Sequence, residues 1–238
     1  MNKKISLLIV GIILLNINLA ISKQVFADDT HPLSKTDTNA HVQFIPRNGP
    51  TKPVDPEDPS KPVDPANPTD PADQDNPGTG NNGPLSLDFI SNIHFGEQAI
   101  SGKEQTYNAI NKNPYIQVTD NRGTGAGWAL TAQISEFTGK NAKTNQTEIL
   151  KGTVLSIKNA VLRTESTNTS KEPTSKNIVF NNNDAQLVIN AAENTGQGTW
   201  INVYEKPEDI TLTVPGSVAK SNVAYKAKVN WVLSDTPK

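Results

Sequence analysis

From Leu85 onward, apolar and polar residues alternate with a period of two. "LSLDFI" sets Leu85, Leu87 and Phe89 on one face, and "WALTAQI" does the same for Trp128, Leu130, Ala132 and Ile134. "ITLTV" aligns Ile210, Leu212 and Val214, while "YKAKVNWVL" aligns Tyr225, Ala227, Val229, Trp231 and Leu233. Residues i and i+2 of a strand share a face, so each run predicts a half-buried β-strand. "TVLSIKNAVL", "NIVF", "AQLVI" and "TWINVYE" add candidates, parted by clusters of Gly, Asn, Pro and Thr. No stretch carries an apolar stripe of helical spacing and length. Roughly eight to ten short strands of this kind predict an all-β chain, an antiparallel β-sandwich or barrel-like domain over residues 85–238.

Upstream the pattern changes three times. Residues 52–84 repeat Lys-Pro-Val-Asp-Pro at 52–56 and 61–65, with Pro at nearly every third position. Proline fixes φ and lacks an N–H, so this Pro/Asp-rich stretch predicts a semi-extended, solvated spacer. Before it, in the segment 28–51, "HVQFIP" alternates Val42 and Phe44 around Gln43. That predicts one strand, 42–45, which a sheet edge of the main domain would accept. Residues 1–27 place Lys3 and Lys4 before an apolar run and end in "VFA", the pattern of a secretory signal cut after Ala27. Removal of that segment implies export and no direct membrane insertion of the mature chain.

Composition narrows the function. There is no cysteine, which excludes a disulfide framework, thiolate metal sites and a thiol nucleophile. Export without disulfides suits a bacterial protein large enough to bury a core unaided. No sortase-type Leu-Pro-x-Thr-Gly run or second apolar span is present, so covalent anchoring is not expected. Without Lys3, Lys4 and Lys23, the 22 basic residues fall to 19 against 24 acidic ones. The whole excess sits in residues 52–84, which hold seven acids and two lysines. The remainder is neutral and has no basic cluster, which argues against nucleic acid and anionic lipid as partners.

Candidate chemistry is sparse. His31, His41 and His94 show no metal-ligand spacing, and no carboxylate pair has the surroundings expected of a glycosidase. "TDNRGTGAGW" could be taken for a phosphate cradle through Gly123, Gly125 and Gly127, but a strand rather than a helix follows it. A glycine-rich hairpin connection is the expectation there. Asp120 has no spaced series of oxygen ligands to support calcium. "NQT" at 145–147 and "NTS" at 168–170 read as loops. No cofactor, metal or catalytic residue is expected.

What stands out is Trp-x-Leu, at 128–130 and again at 231–233. In a strand, each copy projects a Trp and a Leu to one side. These pairs, and Trp200, serve either as core or as an exposed platform for sugar rings or a partner protein; the pattern leaves both open. The two motifs, "GWALTA" at 127–132 and "YKAKVNWVLSDTP" at 225–237, resemble the two signatures of WxL-domain surface proteins of low-GC Gram-positive bacteria. Tyr225, Trp231, Leu233 and Pro237 fit the second signature. "GPLSLDFISNIHFG", "PYIQVTDNRGTGAGW" and "ITLTVPG" are similar to the family's surroundings too. Val229-Asn230 departs from the usual Leu-Thr and leaves the strand pattern intact. The resemblance implies a secreted, non-enzymatic, small WxL protein held non-covalently on peptidoglycan at the cell surface by its WxL domain. Trp128, Leu130, Trp231 and Leu233 would then be the residues essential for retention. The alternative it implies is a subunit of a surface complex, docking on a membrane-anchored WxL-interacting protein alongside other WxL proteins.

Overall fold

The computed structural model describes residues 34, 36–64 and 69–238. The expected signal segment, residues 1–27, lies outside the described residues, as does His31. The chain divides into two units, Met1–Gln43 and Phe44–Lys238. The described part of the first has no secondary structure, and its side chains are exposed.

The second unit is all-β among its described residues, apart from one 3-10 turn at Pro207–Asp209. Its strands are β1 (Leu85–Ile90), β2 (Gln105–Asn108), β3 (Tyr115–Asp120), β4 (Trp128–Ile134), β5 (Thr138–Lys140), β6 (Thr147–Ile149) and β7 (Val154–Ile157). They continue as β8 (Val161–Arg163), β9 (Thr174–Ser175), β10 (Ile178–Phe180), β11 (Gln186–Ala191), β12 (Gly198–Val203), β13 (Ile210–Val214) and β14 (Val229–Ser234). Three antiparallel sheets result, ordered β1-β3-β12-β8, β10-β7-β13-β2 and β14-β4-β11-β9, with β5-β6 as a small ribbon. They pack as a sandwich. The core draws Leu87, Ile116 and Val118 from the first sheet, Leu155, Ile178, Phe180 and Leu212 from the second, and Trp128, Leu130 and Val188 from the third. Alternation thus set the inward faces as the sequence predicts, with Ile210, Leu212 and Val214 all buried.

Three expectations are corrected. Leu85, Leu87 and Phe89 do not share a face: a bulge between Leu87 and Phe89 shifts the register. Phe89 then joins Val54, Tyr115, Ile201 and Val203 in a second apolar cluster, stacked on Tyr115 at 4.6 Å between ring centroids. An extra residue reverses the side-chain alternation beyond it. The expected strand over 42–45 does not form, and Val42, Phe44 and Ile45 are exposed. An edge strand needs a partner edge, and none is engaged here.

The third correction concerns residues 52–84, whose described part is no solvated spacer. Val54 and Pro62 bridge, with Asp55 N–H donating to the Lys61 carbonyl (2.9 Å) and Val63 N–H to that of Pro53 (2.7 Å). Carboxylates cap their own turns: Asp55 accepts from Glu57 N–H, Asp58 from Ser60 N–H and Asp70 from Ala72 N–H. Asp-Pro units therefore fold into side-chain-capped turns as readily as they extend. The strap so formed lies on the outward face of the first sheet. Val54 N–H donates to Gln117 Oε1 (2.8 Å), while Gln117 Nε2 donates to the Lys52 carbonyl (3.0 Å). Further along, Asn111 Nδ2 donates to Asp70 (2.6 Å), Asn92 N–H and Nδ2 to Asp73 (2.9 and 2.8 Å), and Asn76 Nδ2 to the Ile90 carbonyl (2.7 Å).

Candidate functional site

The two Trp-x-Leu runs, 103 residues apart in sequence, lie on adjacent strands. β14 pairs antiparallel with β4, setting Leu233 directly opposite Leu130 and Trp231 opposite Ala132. β11 flanks β4 on its other side, where Ala191 faces Trp128. Trp128, Leu130, Trp231 and Leu233 all point inward. The first two are 0% exposed, whereas Trp231 and Leu233 are half-buried at the rim of the core. Their position reflects sheet order, since β4 is internal and β14 is an edge.

Trp128 is fixed at both ends. Its Nε1–H donates to the Gly196 carbonyl (3.0 Å), so the indole loses no hydrogen bond on burial. A Cβ at Gly196 would sit 2.6 Å from Ala191 Cβ and 2.9 Å from Trp128 Nε1. A Cβ at Gly127 would lie 2.3 Å from the Ala191 carbonyl oxygen, and Gly127 has φ of +73°. Glycine before the tryptophan is thus required by packing and by backbone conformation alike. The glycine-rich run is not the expected hairpin, because β3 and β4 enter different sheets. Left-handed Gly123, Gly125 and Gly127 let the chain cross from one to the other.

Arg122, which no sequence motif marks, ties this crossing together. It forms a two-pronged pair with buried Asp120, Nε to Oδ1 at 2.9 Å and Nη2 to Oδ2 at 2.7 Å. It also donates to the carbonyls of Gly127 (2.6 Å) and Asp235 (3.2 Å). One guanidinium therefore joins the end of β3, the entry to β4 and the tail after β14. The carboxylate beside it raises its pKa further, keeping it charged. With both oxygens on Arg122, Asp120 is occupied as an ion-pair partner. Beyond Pro237, which is exposed, the tail closes on β11: Asn190 Nδ2 donates to the Lys238 carbonyl (2.7 Å), and Lys238 N–H to Asn190 Oδ1 (2.8 Å). Tyr225 packs against the core, and its hydroxyl accepts from Lys220 N–H (3.1 Å). Trp200 is buried too, with its Nε1–H on the Gln197 carbonyl (2.9 Å).

A family model described as a WxL domain, surface cell wall-binding, matches residues 31–237. The chain belongs to the WxL family. No curated protein and no solved structure matches it. The WxL match spans the strap as well as the sandwich, in keeping with the strap's packing onto the first sheet. This is a surface cell-wall-binding domain family, not an enzymatic one. Among the described residues, no group of three His, Cys, Asp or Glu side chains could hold a metal, and no helix is long and apolar enough to cross a membrane. His94 stands with Nε2 3.8 Å from Asp73 Oδ1, and His41 is exposed.

The open face of the motif sheet is polar. Opposite the Trp-x-Leu side chains, β14 presents Asn230, Val232 and Ser234 and β4 presents Thr131 and Gln133; Val232 is 51% exposed.

Proposed function

We propose that this WxL protein is a secreted, non-enzymatic module that attaches non-covalently to peptidoglycan and so resides at the cell surface. The observation that carries this reading is the WxL match over nearly the whole chain. The pairing of both motif strands in one sheet supports it. Trp128 and Leu130 act by holding the fold, since a side chain with no exposed surface cannot touch a polymer. Contact with the wall falls instead to outward residues, and the polar face of β4 and β14 offers amides and hydroxyls of the kind that bond to sugar and peptide groups.

The test is sedimentation of the purified protein with protein-free peptidoglycan, beside Trp128→Ala and a pair of outward variants, Gln133→Ala and Asn230→Ala. Wild type should pellet with the wall. Trp128→Ala should lose retention together with its folded circular dichroism signal, and the outward variants should weaken retention while staying folded. If folded wild type stays in the supernatant and pellets only when a membrane-anchored WxL-interacting protein is added, the protein-docking reading replaces direct wall binding.

A further inference from the structure

β14 is an edge strand whose outer row of backbone N–H and C=O groups has no partner among the described residues, since β14 pairs with β4 alone. Other edges are short or covered. β8 and β10 have three residues each, β9 has two and β2 has four. β1 is bulged, and the strap sits on it through Thr79 Oγ1 and Asn81 Nδ2, both donating to the Leu87 carbonyl. β14 has six residues, "VNWVLS", with no bulge, charge or proline of the kinds that usually blunt an edge. Along it Trp231 and Leu233 are only half-buried, and Val232 is 51% exposed on the other face.

Elsewhere in the same chain a strand-patterned segment pairs with no strand among the described residues. Val42, Phe44 and Ile45 are 78%, 89% and 79% exposed. Three large apolar side chains in four residues, left in water, mark an interaction element. The WxL family match begins upstream of them, so they belong to the family's unit.

We propose that residues 41–46 of one copy add as a strand to the free edge of β14 in a second copy. The two patterns complement each other: in an extended segment Val42 and Phe44 share the face on which Trp231 and Leu233 are half-covered, while Ile45 falls on the side of Val232. Backbone pairing supplies affinity and the alternate side chains supply register. Each copy offers one vacant strand and one vacant edge. Reciprocal exchange gives a closed dimer, and head-to-tail addition gives a linear chain of copies.

The chain has no cysteine, so introduced ones report alone. Full-length Phe44→Cys and Leu233→Cys chains, one carrying a size tag, are mixed and oxidised, then run without reductant beside each variant alone. A mixed-size covalent pair stronger than either self-pair is expected. Sedimentation velocity of wild type should show mass rising with concentration. Phe44→Glu should weaken that association by about tenfold or more, as loss of a central aromatic anchor does, with circular dichroism unchanged because Phe44 is exposed. The proposal is overturned if wild type stays monomeric, if Phe44→Glu associates as wild type does, or if the double variant Phe44→Cys/Leu233→Cys closes its disulfide within one chain, which would seat the segment on its own β14.

Discussion

Trp128 carries much of the motif sheet's packing, because an indole with no exposed surface touches β4, β11 and the Gly196 turn at once. Trp128→Ala should cost roughly 3–5 kcal/mol of unfolding free energy in urea melts, as aromatic-to-alanine truncations in cores do. Gly127→Ala should cost on the order of 1–3 kcal/mol from its left-handed backbone alone, with more from the clash at the Ala191 carbonyl. Asp88 makes a different prediction. Burial pushes its carboxyl pKa up, opposed by hydrogen bonds from Ser86, Thr119 and Gln117. A raised folded-state pKa stabilises the fold below the unfolded value of 3.8 and loses that contribution as pH rises through the folded value. Asp88→Asn lacks this term, so its stability relative to wild type should climb as pH is raised from 3 to 7. A constant difference between the two across that range would mean that Asp88 titrates alike in both states.

At the scale of elements, the strap decides how the first sheet is covered. It lies over Phe89, Tyr115, Ile201 and Val203, a face that would otherwise meet water. Tyr115 is buried there, and burial drives its hydroxyl pKa upward. Gln117 is the strap's principal clasp, exchanging hydrogen bonds with both Lys52 and Val54 from a fully buried position. Gln117→Leu would leave the Val54 N–H without an acceptor and should destabilise the domain by about 1–3 kcal/mol. Proteolysis should then cut first within residues 52–84, because the loosened strap is the element with fewest ladder bonds. If cleavage began elsewhere, the strap would be held chiefly by its Asp70 and Asp73 contacts. β14 sits at the opposite extreme, paired with β4 along one side and, among the described residues, with nothing along the other.

At the scale of the molecule, Arg122 connects the first sheet, through Asp120, to the third, through the Gly127 and Asp235 carbonyls, and the main cluster draws on all three sheets. The sandwich should therefore unfold as one unit. Tryptophan fluorescence, which reports on Trp200 in the first sheet and on Trp128 and Trp231 in the third, and far-UV circular dichroism should give coincident denaturant transitions. Two separated transitions would show that the sheets melt independently. Arg122→Ala leaves the buried Asp120 carboxylate unpaired, and it should lower the midpoint of both probes together.

Strand identity and inward faces were legible in the alternating residues of β4, β13 and β14, because a period of two encodes burial on one side without reference to any partner. The paired tryptophans were legible as a motif for the same reason. Local pattern does not encode which strand neighbours which. The meeting of Leu130 with Leu233, the crossing at Gly123–Gly127 and the role of Arg122 depend on groups far apart in sequence. The docking of the strap was not legible, because proline and aspartate describe a chain without ladder bonds equally well whether it is solvated or docked. What docks it, Gln117 and Asn111, is polar and carries no periodic signal. The sequence by itself determined an all-β WxL domain with two Trp-x-Leu strands, each projecting its Trp and Leu to one side. Only the tertiary structure decided that one motif is sealed in the core while the other lines an open edge, because burial at the end of a sheet depends on what lies beyond the last strand.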